Sequence, residues 1–283
     1  MVFLVLSVIC SVSVGVIFKV ARNYSINIPQ IIAANYLIAL SLCYFFFRPD
    51  FAEIGEEIPW KIYFSLGVLM PSIFLFLAAS IKNVGIVKTD AAQRLSLFIP
   101  ILAAWLIFDE KFSALKIAAF GIAFPALLFI LNKPAEKTSN KWVYPAIVLV
   151  GFGIIDILFK QIALFTDLRY TTSLFIVFGL ALPIMLVVVG YEMGVKKVKF
   201  DYKNLLFGSL VGIFNFGNIL FYLKAHQSFA ENPSTVFAGM NMGVILIGSL
   251  TGIFIFKEKL SKMNYAGLFL ALIAIVLIVL SQQ

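Results

Sequence analysis

The chain has 283 residues, of which 62% are hydrophobic and 13% charged, roughly half the charge share of an ordinary soluble domain. A soluble core of that size could not hide so much apolar surface, so the bilayer is the expected solvent. The net charge of +8 raises nucleic acid as a partner, but the basic residues sit in loops between apolar runs and no recognition module accompanies them, which argues against that class.

Apolar runs lie near 2–21, 29–47, 62–81, 89–108, 113–131, 142–162, 171–191, 204–223, 235–256 and 264–280. Each is long enough to cross a membrane, so ten transmembrane helices are expected. The first run has no basic leader and no small-residue cleavage site, and it counts as the first span. Cys10 and Cys43 lie inside apolar runs with no metal or redox spacing, and read as small lipid- or core-facing residues. The breaks carry turn and charge residues: Asp50, Glu53, Glu56 and Glu57 in one, 132–141 in another, and Lys196, Lys197, Lys199 and Lys203 in a third. None could hold a soluble domain. Pro29, Pro145 and Pro233 stand where helices begin, whereas Pro71, Pro100, Pro125 and Pro183 fall inside spans. There the freed carbonyl needs a partner from a neighbouring helix or a cavity.

A charge inside a span costs about 2.5–3.5 kcal/mol on insertion scales, so each one left there needs a reason. Four qualify: Lys19, Arg94, Asp156 and Lys160. Asp156 and Lys160 are one turn apart on the sixth span, acid first, either a self-neutralising pair or part of a site. Lys19 and Lys160 lie near span ends, where a long side chain can also snorkel to the interface. Arg94 lies one turn after Asp90, which could neutralise it. The eighth span carries Asn215, Asn218 and Tyr222 at spacings of three and four, one polar stripe on an apolar helix. Those groups need hydrogen-bond partners, from packed helices or from a cavity. On the ninth span Asn241 sits among Gly239, Gly243, Gly248 and Gly252, two G-x-x-x-G spacings that allow close helix contact. The third span has Ser65 and Ser72 but no Asn. The excess of Lys19, Arg94 and Lys160 over Asp156 suggests a substrate carrying a carboxylate or another anionic group. For coupling to protons Asp156 is the first candidate and His226 a weaker one, read as a solvated loop residue in the break before the ninth span; uncoupled movement is equally compatible with the sequence.

The two halves echo each other. Phe108-Asp109-Glu110-Lys111-Phe112-Ser113 recurs as Phe256-Lys257-Glu258-Lys259-Leu260-Ser261, each before a final span, and Phe18-Lys19 recurs as Phe159-Lys160. A duplicated unit of five spans enters the membrane from opposite sides, making two inverted repeats, an arrangement found in transporters. With the repeated Glu-Lys-hydrophobic-Ser motif, Gly121 and Gly267 in the fifth span of each half and the basic residue late in the first, the chain resembles the drug/metabolite transporter superfamily, proteins of two EamA-type domains. The resemblance covers nearly the whole chain. It divides it into residues 1–132, a linker at 133–141, and residues 142–283. It departs from the family pattern at Pro100, which is displaced toward the Glu motif, and in the ninth span, which has no proline after Pro233.

The resemblance implies a central cavity between the halves, lined mainly by the first, third, fourth, sixth, eighth and ninth spans, and alternating access for small metabolites. The expected protein is thus an all-α, multi-pass protein of a cell (inner) membrane. It acts as a secondary transporter, an exporter of polar metabolites such as amino acids or organic acids. Its partners are the lipid bilayer and a small-molecule substrate, and a monomer suffices. No cofactor or metal is expected beyond proton coupling, and no Walker-type loop points to ATP. A non-transporting scaffold or receptor is the alternative. An intramembrane enzyme is less favoured, because one histidine and one central Asp make no catalytic constellation. Orientation stays open: the resemblance puts both termini in the cytoplasm, whereas basic residues crowd the loops after odd-numbered spans, which positive-inside reasoning places there instead.

Overall fold

A computed structural model describes residues 1–21, 23–49, 54–55, 58–131, 141–165, 168–257 and 260–281, with the side chains of Ile86 and Val87 set aside. Most of the acidic break at 50–57, residues 132–140 with all of the 133–141 linker but its last residue, and Glu258 and Lys259 of the second motif lie outside the described residues.

The described residues form helices and no strand. In chain order these are α1 (Val2–Ala21), α2 (Ile28–Phe47), α3 (Trp60–Val84), α4 (Ile86–Leu95), α5 (Phe98–Leu106) and α6 (Ala114–Ile130). The second half supplies α7 (Val143–Leu164), α8 (Tyr170–Gly194), α9 (Tyr202–Ser228), α10 (Pro233–Phe254) and α11 (Lys262–Leu280). Eight of them are long and apolar enough to cross a membrane, and α6 is a shorter apolar helix. Ten spans are recovered, but the fourth is split into α4 and α5. The segment Ile86–Leu95 carries Lys88, Asp90, Gln93 and Arg94 and is polar on average, so it does not continue as one apolar rod. The chain turns at Ser96, whose hydroxyl donates to the Gln93 carbonyl at 2.6 Å. Pro100 consequently falls in the first turn of α5, where a missing N–H costs little.

Helix ends follow local capping rules. Asn27 accepts the Gln30 N–H and Pro29 stands in the first turn of α2. Ser113 caps α6, Asp201 caps α9, and Ser261 with Asn264 forms a reciprocal capping box on α11.

The heaviest packing runs between the two halves of the chain. α1 lies on α9 and α10, and α7 on α3, α4 and α5; α2 meets α8 and α9, α3 meets α8, and α6 pairs with α11. Glycines set the closest approaches. A Cβ on Gly208 would stand 2.7 Å from the Ile31 carbonyl oxygen, and one on Gly212 2.9 Å from that of Asn35. α9 therefore touches α2 backbone to backbone. Gly239 and Gly243 of α10 receive Leu4 and Val8 of α1, while Gly248 faces open space, so of the glycine spacings on the ninth span the first makes a tight seam and Gly248 does not extend it. Gly267 meets the backbone of α6 at Ala126 and Ile130, and Gly121 meets nothing. Outward-facing Phe45, Phe46, Val187, Leu206 and Phe269 are exposed, the surface expected toward lipid chains.

Candidate functional site

The polar stripe on α9 is real, and it is longer than the sequence suggested. Asn215, Asn218, Tyr222 and His226 recur every three or four residues along one face of the helix. Asn215, Tyr222 and His226 are buried there. Each residue meets a different helix. Asn215 Nδ2 donates to Asn35 Oδ1 of α2 at 3.1 Å. The Ser7 hydroxyl of α1 donates to Asn218 Oδ1 at 2.8 Å. The Tyr222 hydroxyl donates to Asp156 Oδ1 of α7 at 2.9 Å. The His226 ring lies edge-on to Tyr222 and to Phe237 of α10, with centroids 4.6 and 4.8 Å away.

His226 is thus not a solvated loop residue. The helix runs on to Ser228 because its last turn packs against α7 and α10, and the imidazole is completely buried. Among the described residues neither ring nitrogen has a hydrogen-bond partner. Next to Asn215 a small cavity of roughly 10 Å³ is lined by Val14, Phe18, Ile32, Asn35, Phe74 and Val211, room for about one water. Its walls come from α1, α2, α3 and α9, so α2 contributes where the family resemblance did not place it.

Asp156 and Lys160 share a face of α7 but form no ion pair. Asp156 turns to Tyr222, while Lys160 Nζ donates to the carbonyls of Ala230 at 2.7 Å and His226 at 3.4 Å. The lysine is 0% exposed, so it does not snorkel. It neutralises the carbonyl end of α9, where the helix dipole favours a cation. Three other expected site residues lie apart from this group. Arg94 Nε is 3.4 Å from Asp90 Oδ1, a helix-end pair. Lys19 Nζ lies 3.8 Å above the Phe256 ring, a cation–π contact. Asn241 Nδ2 donates to the Phe237 carbonyl of its own helix at 3.0 Å. Asp156, Lys160, Tyr222 and His226 therefore form one cluster, with Asn215 and Asn218 further along the stripe.

Residues 1–132 match the family model described as the EamA-like transporter family. Over 282 residues, 96% of this chain and 95% of its relative, the sequence is 44% identical to an uncharacterized protein of Haemophilus influenzae. The chain belongs to the EamA-like transporter family. A solved crystal structure is similar in fold, with a TM-score of 0.74 over 99% of this chain and 96% of that one, at 10% identity. The protein is an integral, multi-pass membrane protein and a transporter of small molecules.

The family motif has a physical role in this transporter that its spacing did not reveal. Glu110, between α5 and α6, is buried and accepts from the Ser234 N–H at 2.8 Å and the Ser234 hydroxyl at 2.5 Å. Its carboxylate therefore caps the N-terminus of α10 from outside the helix. Its cation is Lys116, at 2.5 Å, and not the adjacent Lys111, which is exposed. Lys116 Nζ also donates to Asn232 Oδ1 at 2.9 Å. At the opposite end of α9 the transporter has a second buried polar cluster. Gln30 Oε1 accepts from Asn204 Nδ2 at 2.9 Å, and Gln30 Nε2 donates to the Lys199 carbonyl at 3.0 Å. Asn27 Nδ2 donates to Glu192 Oε2 at 2.8 Å. Gln30 and Asn204 escaped notice because single amides at span ends look like interfacial residues.

Proposed function

We propose that the protein is a secondary transporter that exports small polar metabolites, such as amino acids or organic acids. It works by alternating access between two inverted five-helix repeats, residues 1–132 and 142–283. The reading is carried by the α9 stripe: in a largely apolar bundle, one helix face presents amide, phenol and imidazole groups to four different helices. Unpaired polar groups in such surroundings are costly, and a substrate can take over these bonds only if it offers donors and acceptors of its own. The exchanged contacts support the repeat division, since α1 rests on α9 and α10 as α7 rests on α3, α4 and α5. With Arg94 neutralised by Asp90, Lys19 and Lys160 still outnumber Asp156 in the spans, which supports a carboxylate on the substrate.

Purified protein in liposomes, loaded with a panel of amino acids, dicarboxylates, neutral polar metabolites and lipophilic cations, tests this by counterflow. Saturable exchange of carboxylate-bearing metabolites, lost in Asn215→Leu, is expected, and right-side-out against inside-out vesicles give the direction. Exchange confined to lipophilic cations would overturn the substrate class.

A further inference from the structure

We propose that His226 is the proton-binding residue of this transporter, with Asp156 as its counter-charge, held through Tyr222, and that separation of α7 from α9 is what admits water to it. The proposal rests on the secondary-transport reading above.

The imidazole is an anomaly that the packing alone does not explain. A neutral imidazole has one donor and one acceptor nitrogen, and buried polar groups are nearly always paired. Here both nitrogens are buried and, among the described residues, unpartnered, while every other polar residue of the α9 stripe has a partner on α1, α2 or α7. Tyr222 and Phe237 stand edge-on to the ring at under 5 Å, so a metabolite cannot enter between them. A proton can.

The charged and titratable groups around the ring come from identifiable elements. α7 presents Lys160, whose charge acts on the ring, and Asp156, which reaches it through Tyr222 of α9. The segment from α5 into α6 presents Glu110, close enough to act electrostatically on Lys160, and Lys116 bonded to it. α10 contributes Phe237 to the ring and Ser234 to Glu110, both without charge. At this end α1 places Phe3 against Phe221.

The same contacts that bury His226 are the ones that close this end. Lys160 holds the His226 and Ala230 carbonyls, Tyr222 holds Asp156, and Phe159 stands edge-on to Tyr222, so α7 is tied to α9 by a few polar side-chain bonds and one aromatic contact. α1 and α3, the equivalent pair in the other half, are not packed together in this way. Exchange of the two arrangements parts α7 from α9 and brings water to the ring. A proton from that water bonds to the unprotonated ring nitrogen, giving an imidazolium whose charge Asp156 offsets from one contact away, through Tyr222. When the protein closes and opens to the other side, the N–H bond breaks and the proton returns to water. No electrons are transferred.

His226 is the single histidine of the chain, so ¹⁵N-histidine labelling of the whole protein in lipid nanodiscs gives one imidazole signal. The expected result is conversion of that signal between neutral and imidazolium patterns between about pH 5 and pH 8, with the transition displaced in Asp156→Asn. A signal unchanged across that range in the wild-type protein would overturn the proposal. In liposomes, His226→Gln is expected to lose the difference between uptake with and without a pH gradient, and a difference as large as that of the wild type would also overturn it. If the variant does not fold, the wild-type titration decides. If the metabolite panel is not transported at all, the function proposed above fails while the titration still tests His226.

Discussion

Replacing Lys116 by Met leaves the Glu110 carboxylate buried beneath α10 with only Ser234 to receive it. The pair is separated by 2.5 Å and both side chains are about 2% exposed or less. At an effective dielectric near 20 the attraction at such a distance is roughly 6–7 kcal/mol before desolvation is subtracted. Breaking a buried pair from one side typically costs about 3–5 kcal/mol, whereas removing both charges together is often close to neutral. Lys116→Met is therefore expected to lower stability by about 3–5 kcal/mol, and Glu110→Gln by about 2–4, since Gln can still accept the Ser234 N–H. The double variant should recover much of the loss, with a coupling of at least about 2 kcal/mol between the two sites. Reversible unfolding in mixed detergent micelles, followed by tryptophan fluorescence, measures all four corners of the cycle. Additive losses, or a Lys116→Met variant within about 0.5 kcal/mol of the parent, would show that the network does not hold the α10 terminus.

Glycine substitutions separate two roles on the helices. Gly212→Ala is expected to cost about 1–3 kcal/mol because its Cβ would meet the α2 backbone. Gly248→Ala, in open space, should gain up to about 1 kcal/mol from helix propensity, and thermal unfolding compares them directly. Asn264→Ala removes the reciprocal cap of α11 and two donors to the Phe129 and Ile130 carbonyls, with an expected loss of about 1–2 kcal/mol. Tyr222→Phe deprives Asp156 of its donor. A hydrogen bond to a charged group is worth about 1.5–3 kcal/mol, so initial transport rates should fall about tenfold or more, and an unchanged rate would remove Tyr222 from the path. A single cysteine at the exposed position of Lys197, in a background without Cys10 and Cys43, should react with impermeant reagents on intact cells if both termini are cytoplasmic. Protection there would favour the opposite orientation.

The spans were legible because hydropathy reports the solvent of each residue directly, and the polar stripe of α9 because helical periodicity reports direction. What periodicity cannot report is the partner across the interface. Asn215 could be singled out, but Asn35, one amide in an unremarkable second span, could not. Lys160 looked able to snorkel because it lies one turn from a span end, and only the arrival of α9 turns that position into the interior. His226 was misplaced for a related reason. Lys224, His226 and Gln227 within four residues imitate a loop, yet tertiary contacts with α7 and α10 carry the helix five residues past Leu223, to Ser228. Lys88, Asp90 and Arg94 foreshadow the split of the fourth span, because a charge cluster is a weak point in an apolar rod as well as candidate chemistry. The Glu110 motif was visible as a repeat, but its function as a cap for a helix more than a hundred residues away depends on the fold alone.

The glycine contact between α9 and α2 carries a mechanical consequence. At the Gly208–Gly212 end the two backbones interlock and Gln30 fastens the rim, so sliding there would drive one main chain into another. At the far end α9 is held to α7 by a lysine and a tyrosine that can release and reattach. A rod clamped at one end and tethered at the other behaves as a lever. Its fulcrum is set by two residues without side chains, and a tilt of a few degrees there is magnified along the 27 residues of α9 into the largest displacement at His226.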